Sequence, residues 1–257
     1  MGRTERLDSV LGKRSANLAY SDQHKIMNNC QDYGFPSSSL ESASLEPEAL
    51  EPASKKTILP EADVLSADSL DRQLSVIVCP GFNQAELTDG LVQSLPQFTR
   101  PYIVRSLPIS PFEIYQWLSD TLGNPATQPP LVGIGFSAGV VGLAGAFLLW
   151  QQAGGKVAQL FAIDGWGVPV LGLNVIRISH DRFTHLTTLP LGAGEVNFYA
   201  DPGVDHLDLW GSPDQVMGRT VPWWQIAAGT GEIISAKDFL VHFLAQNLAT
   251  SQSNGEE

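Results

Sequence analysis

The chain is poor in several features that define whole classes of protein. Two cysteines among 257 residues, Cys30 in a polar region and Cys79 at the end of an apolar run, give no disulfide framework. Positive charge is also scarce, because 15 Lys and Arg face 27 Asp and Glu and leave a net charge of −12. This balance argues against nucleic-acid binding and against docking on anionic lipid. The first thirty residues lack the apolar segment of a secretory signal, and Glu5 and Asp8 disfavour a transit peptide, so we expect a cytoplasmic protein.

Sustained hydrophobic periodicity is missing from residues 1–72, where Ser, Glu and Pro recur. We predict a flexible N-terminal extension there, with a short helix between residues 5 and 17 and a segment available to a protein partner. Residues 73–250 are predicted to form one domain, and residues 251–257 a flexible tail. A hydrophobic content of 43% is enough for one sizeable core.

Apolar runs of strand length alternate with segments of helical spacing after residue 73. We predict strands at 74–79, 102–105, 131–136, 157–163, 175–178 and 196–199, and helices at 86–95, 111–122, 138–152 and 236–248. Near-continuous apolar strands that alternate with helices are typical of a parallel sheet covered on both faces. The predicted fold class is therefore α/β, with a mostly parallel central sheet.

The most informative motif is Gly-x-Ser-x-Gly at residues 135–139, between a predicted strand and a predicted helix. This order places Ser137 at the apex of a tight strand-to-helix turn with its hydroxyl exposed. Gly135 and Gly139 are needed because a Cβ at either position would meet the neighbouring strand or helix. The helix N-terminus and the Ala138 N–H then face a developing oxyanion.

The same region has a second interpretation. Residues 131–150 contain no charged side chain, and this segment is long enough to span a membrane. Gly135 and Gly139 within it form a GxxxG pattern. Against this, glycines crowd the first half and no cluster of Lys or Arg flanks the segment. We therefore predict a strand and a helix here and no transmembrane segment.

A serine nucleophile needs an imidazole base. Of five histidines, His24 lies in the extension and His242 lies within an apolar helical pattern. His206 follows the last predicted strand and precedes the final helix, where a base is expected when the nucleophile comes first. His180 and His185 are spaced to share a site, and they stay open as an alternative base, as pocket residues or as loop supports.

Two aspartates are candidates to orient the base. Asp164 directly follows the strand at 157–163, and Asp201 follows the strand at 196–199. Asp201 is only five residues from His206, so we place Asp164 first and keep Asp201 as the alternative. Either could instead cap a loop or helix.

A second oxyanion donor is expected from the loop after the first strand. Pro80 and Gly81 turn the chain sharply there, so that the N–H of Phe82 or Asn83 faces Ser137.

Taken together, residues 76–82, the motif at 135–139, Asp164 and then His206 resemble the α/β-hydrolase superfamily over residues 73–250. The chain departs from the family because no pair of strands opens the fold before Leu74, which implies a reduced sheet similar to that of cutinase. The short interval from Ser137 to His206 leaves little room for a cap domain.

The resemblance implies an esterase, lipase or thioesterase that acts on a small acyl ester or thioester through an acyl-enzyme on Ser137. His206 would move the proton, Asp164 would orient it, and the N–H groups of Ala138 and Phe82 would hold the oxyanion. No metal ion or organic cofactor is expected.

Apolar side chains after Asp164 have two interpretations, as an acyl pocket or as core: Trp166, Val168, Val170, Leu171 and Leu173. The pair Trp223-Trp224 is either a pocket rim or an interaction patch. An alternative function of another class is a catalytically silent hydrolase-fold binding or assembly factor, which the long extension would suit.

Overall fold

The computed structural model describes residues 73–224 and 231–253. The predicted extension at 1–72, with its short helix, lies outside the described residues.

The described chain alternates strands and helices as expected. The strands are β1 (Leu74–Cys79), β2 (Thr99–Ile103), β3 (Leu131–Phe136), β4 (Val157–Ile163), β5 (Val175–Ser179), β6 (Val196–Ala200), β7 (Met217–Pro222) and β8 (Glu232–Ser235). The α-helices are α1 (Ala85–Ser94), α2 (Pro111–Leu122), α3 (Ala138–Gln152), α4 (Arg182–Thr188), α5 (His206–Gly211) and α6 (Ala236–Ser253). Short 3-10 turns occur at Pro125–Thr127 and Leu189–Leu191.

All eight strands form one sheet in the order β2-β1-β3-β4-β5-β6-β7-β8. Strands β1 to β6 are parallel to one another, whereas β7 and β8 run antiparallel at one edge. The predicted α/β class with a mostly parallel sheet is confirmed. The two antiparallel strands were not predicted, because neither carries a continuous apolar run.

Several element boundaries differ from the sequence prediction. Strand β2 starts and ends earlier than predicted and includes Pro101, which an edge strand tolerates because one side of it needs no ladder hydrogen bonds. Helix α6 continues to Ser253, so the chain is helical over the first three residues of the predicted tail. The short helices α4 and α5 escape a periodicity analysis, although their N-caps Asp181 and Asp205 are visible in the sequence.

Alternating side chains of the strands feed two hydrophobic clusters, one on each face of the sheet. In β1, Val76 and Val78 join the cluster beneath α1, α5 and α6, whereas Ile77 and Cys79 join the cluster beneath α2 and α3. The carboxyl ends of the parallel strands therefore meet at a single edge of a rigid, two-sided core. None of the described helices is long and apolar enough to cross a membrane.

Candidate active site

The turn between β3 and α3 has the strained geometry that the motif predicts. Ser137 adopts φ 52°, in the left-handed region, and its side chain makes no capping hydrogen bond to α3. A Cβ on Gly135 would lie 3.0 Å from the Val140 Cα atom, and one on Gly139 would lie 2.9 Å from the Gly81 nitrogen. Both glycines are thus required by close backbone approach, and the half-buried Ser137 hydroxyl is left available.

Asp164 is the first residue after β4 and is 4% exposed. The register pairs Ile163 with Ile178, which brings the Asp164 carboxylate beside the end of β5. That carboxylate is bound by two histidines. The His180 backbone N–H donates to Oδ1 at 2.8 Å, while the Nδ1 atoms of His180 and His206 lie 2.9 Å and 2.8 Å from Oδ2. The buried acid is therefore satisfied on both oxygens.

The electrostatics of Asp164 favour the ionised form. Burial is the strongest influence and acts to raise the pKa of this carboxyl, because it penalises the charge. Hydrogen bonds from His180 and His206, with the attraction of their charges, together outweigh burial and hold the pKa below its usual value. Asp164 is thus a carboxylate at neutral pH and can stabilise a cationic imidazole.

His206 lies between the acid and the serine turn. It is the first residue of α5, and its ring stacks on Phe136 with centroids 4.4 Å apart. Phe136 directly precedes Ser137 and stacks in turn on Trp210 at 4.8 Å. Since Nδ1 donates to Asp164, the neutral ring carries its acceptor lone pair on Nε2, as a general base for a serine hydroxyl requires.

His180 binds the same carboxylate, so the structure unites two residues that the sequence offered as alternatives. Its ring lies edge-on to that of His206, with centroids 5.9 Å apart. Its Nε2 atom lies 3.7 Å from Oδ2 of its neighbour Asp181. Burial acts first to lower the pKa of His180, but the hydrogen bond and charge of Asp164, with the charges of Asp181 and Asp205, raise it overall.

His185 does not join this group. Its ring is 1% exposed, packs against Tyr199 with centroids 5.2 Å apart, and has no hydrogen-bond partner on either nitrogen among the described residues. Burial, helped by the charge of Arg182, lowers the pKa of His185 to about 4. The buried ring is neutral at pH 7.

Asp201, the alternative acid, has a different partner. It is exposed, and its Oδ2 atom lies 2.5 Å from Nε of Arg219 on β7. The structure therefore brings Asp164, and not Asp201, to His206.

The loop after β1 packs directly against the serine turn. Gly81 adopts φ 73°, and a Cβ there would lie 2.6 Å from the Phe136 carbonyl oxygen and 3.6 Å from the Ala138 nitrogen. The Asn83 side chain donates to the Pro80 carbonyl and accepts from Thr88 at 3.2 Å, which ties the loop to α1. The loop is therefore ordered beside the Ala138 N–H. The oxyanion roles of Phe82 and Ala138 stay predictions.

Arg177 on β5 is a residue that the sequence analysis missed. Its guanidinium is buried and donates to four backbone carbonyls, those of Gly165, Val168, Leu191 and Gly192. Burial lowers the pKa of Arg177 to about 10, so the side chain stays charged. The available signal was a lone cation in an apolar strand.

Arg177 holds the loop that follows Asp164. The five apolar side chains of this loop, predicted as acyl pocket or core, do not all have the same environment. Val170 is buried in the cluster beneath α2 and α3, and Val168 and Leu173 pack partly against it. Trp166 and Leu171 are exposed. Thus three of the five side chains belong to the core and two remain at the surface.

Asp164, His180 and His206 are also the described residues that could together hold a metal ion, since their ligand atoms lie within 4.8 Å of one another. However, both Nδ1 atoms already lie at hydrogen-bond distance from the same Oδ2 atom. A zinc ion on either Nδ1–Oδ2 line, at about 2.0 Å from the nitrogen, would overlap that oxygen. The arrangement is thus a hydrogen-bonded group, and it would have to open to take up a metal.

A scan against protein-family models found no match to this chain, and neither did a search of the curated proteins. The chemistry of the site is therefore argued from its own residues.

Proposed function

We propose that this protein is a serine hydrolase of the α/β-hydrolase class, which cleaves a carboxylic ester or thioester through an acyl-enzyme on Ser137. One observation carries the proposal. His206 is bound through Nδ1 to the buried carboxylate of Asp164 at 2.8 Å and stacks on Phe136, the residue that precedes Ser137. An imidazole and a buried acid are thereby hydrogen-bonded to each other beside the residue that precedes Ser137, at the carboxyl edge of a parallel sheet, which supports a triad with Ser137 as the nucleophile.

In the proposed acylation, Ser137 Oγ attacks the acyl carbon while His206 Nε2 takes the hydroxyl proton. The imidazolium that forms is stabilised by Asp164, which keeps its negative charge. Collapse of the tetrahedral intermediate breaks the bond to the leaving alcohol or thiol, which receives the proton from Nε2. Water then attacks the acyl-enzyme with the same proton transfers and releases the carboxylic acid.

The negative oxygen of that intermediate would be held by the N–H groups of Ala138 and Phe82. Ala138 begins the fifteen-residue helix α3, whose N-terminus supplies positive potential. The Gly81 turn supports Phe82 as the second donor because it packs against the Ala138 nitrogen. Removal of one such donor typically costs about a hundredfold or more in kcat.

The acyl group is proposed to contact Trp166. This residue follows Asp164 by two positions and exposes half of its surface, 50%, at the same edge of the sheet. An exposed indole beside the site would favour a substrate with an apolar acyl part.

A fluorophosphonate probe tests the proposal, because it reacts with activated serines without knowledge of the substrate. We expect wild-type protein to be labelled and Ser137→Ala to lose labelling and esterase turnover, with a melting temperature close to wild type because the hydroxyl makes no capping bond. The matched control is Ser106→Ala, in the loop that follows the carboxyl end of β2, which should be labelled normally.

Labelling that persists in Ser137→Ala would move the nucleophile to another residue. A folded wild-type protein that neither reacts with the probe nor turns over esters would favour the binding or assembly factor instead.

A further inference from the structure

We propose that His180 is a positioning residue of this site: it fixes the Asp164 carboxylate and, when it takes up a proton, competes with His206 for that carboxylate. The proposal rests on the function proposed above and adds a second titrating group to it.

His180 is hydrogen-bonded to both carboxylate oxygens of Asp164. Its backbone N–H binds Oδ1 at 2.8 Å and its ring Nδ1 lies 2.9 Å from Oδ2. Two bonds from one residue fix the rotation of the carboxylate about its Cβ–Cγ bond. Oδ2 is then held where His206 Nδ1 meets it at 2.8 Å. Rotation of the carboxylate would misplace His206, and small misplacements of catalytic groups lower the reaction rate steeply.

The groups that face His180 come from each element packed around it. They are Asp164 after β4, Asp181 and Asp205 at the N-caps of α4 and α5, and the ring of His206. The Nε2 atom, which carries a proton in the cationic ring, lies 3.7 Å from Asp181 Oδ2. Three carboxylates therefore favour the cation, in line with the raised pKa of His180, although burial opposes it.

A cationic His180 weakens catalysis through the shared oxygen. During the proposed reaction His206 becomes an imidazolium and relies on Asp164 for compensation. A positive charge already bound to the same Oδ2 reduces that compensation and repels the second cation. Full activity thus requires both rings to be neutral at rest, and the two protonations belong to the coupled pair.

The first test is the pH profile of kcat/KM with an activated ester. For wild type we expect two protonations on the acid side, so that log kcat/KM approaches a slope of two against pH. His180→Asn places an amide N–H where Nδ1 was but cannot take up a proton. It should keep the plateau kcat within about threefold and show a slope of one.

His180→Phe keeps a ring of similar size but loses the side-chain donor. We expect its plateau kcat to fall by about 10–100-fold with little change in KM, since residue 180 then holds the carboxylate by its backbone N–H alone. The control His242→Asn, on α6 and outside the site, should retain the wild-type profile. Wild-type behaviour in both His180 variants would overturn the proposal.

The neighbouring charges can be removed without loss of the helix caps, because Asn caps helices as well as Asp. Asp181→Asn and Asp205→Asn each remove a negative charge that favours the His180 cation. The upper of the two midpoints should then move to lower pH in both variants. Unchanged midpoints would contradict the assigned role of His180.

An NMR titration of the histidine rings needs no activity and separates this proposal from the hydrolase proposal. In wild type the ring resonances of His206 should move when His180 takes up its proton, because both rings bind the same oxygen of Asp164, and His180→Asn should remove that step. A His206 ring that does not report the protonation of His180 would reject the coupling even if the probe labels Ser137. A ring that reports it in a protein that the probe never labels would reject the hydrolase and keep the coupled pair.

Discussion

Asp164 and Asp201 each follow a parallel strand at the same edge of the sheet, yet the structure uses them differently. Asp164 is buried beneath two imidazoles, whereas Asp201 is exposed and paired with Arg219. The difference lies in the neighbouring strand. Strand β5 runs parallel to β4 and ends beside Asp164, so the residue after it, His180, arrives at the carboxylate. Strand β7 runs antiparallel to β6, so Arg219 within it meets Asp201.

A position just beyond a strand is therefore not enough to identify a catalytic acid. The direction of the adjacent strand decides whether the acid meets a loop residue at the same edge or a side chain within a ladder.

The largest expected effect separates the two acids in activity. Asp164→Asn preserves shape but cannot hold the His206 tautomer, so kcat for an activated ester should fall by roughly 10³–10⁴-fold. Asp201→Asn should lower it by no more than about tenfold, through loop geometry alone. Steady-state kinetics on both variants, with circular dichroism as a folding control, make the measurement. The reverse ranking would transfer the acid role to Asp201.

The surroundings of the two aspartates should also differ in their contribution to stability, and one arginine beside each tests this: Arg177 for the loop after Asp164, and Arg219 for Asp201. Arg177→Met leaves four backbone carbonyls without their buried donor, and we expect unfolding free energy to drop by about 3–5 kcal/mol. Arg219→Gln removes an ion pair with an exposed aspartate and should cost about 0–1 kcal/mol. Urea unfolding at pH 7 measures both. Similar losses in the two variants would mean that Arg177 does not organise the loop after Asp164.

The smallest expected effect is on the pH dependence of the unfolding free energy, to which His180 and His185 contribute with opposite signs. The pKa of buried His185 is lowered to about 4. Between about pH 6.5 and pH 4 this histidine therefore binds a proton in the unfolded chain but not in the folded chain. Stability should be lost as pH falls from about 6.5 to 4, by about 2 kcal/mol at pH 5. His180 has a raised pKa, so its contribution is complete below the unfolded pKa and is lost as pH rises through the folded one.

His185→Leu removes the acid-sensitive contribution. Urea unfolding at pH 7 and pH 5 should show a smaller acid loss for the variant than for wild type, while His180→Asn should show a larger one. If the unfolding free energy decreased equally between pH 7 and pH 5 in wild type and in His185→Leu, the His185 ring would have to bind a hydrogen-bond partner in solution that offsets its burial.

The elements nearest the motif were predictable because their signals are local. The bounds of α2 follow from its apolar spacing and from Pro111 at its start, and those of α3 from the motif that precedes it and the lack of a helix breaker over residues 138–152. The chain order of Ser137, Asp164 and His206 was also visible. Strands β7 and β8 were not, because polar residues interrupt both of them: Arg219 and Thr220 in β7, and Glu232 and Ser235 in β8.

The sequence by itself determined the strained turn at Ser137, since only glycine at 135 and 139 permits the backbone contacts made there, and this requirement is written in neighbouring residues. It also determined that an acid and an imidazole would follow in order. Only the tertiary structure decided that Asp164 binds both His180 and His206 and that His185, five residues on from His180, is buried elsewhere. Strand register and direction set those contacts, and both depend on pairing between segments far apart in the chain.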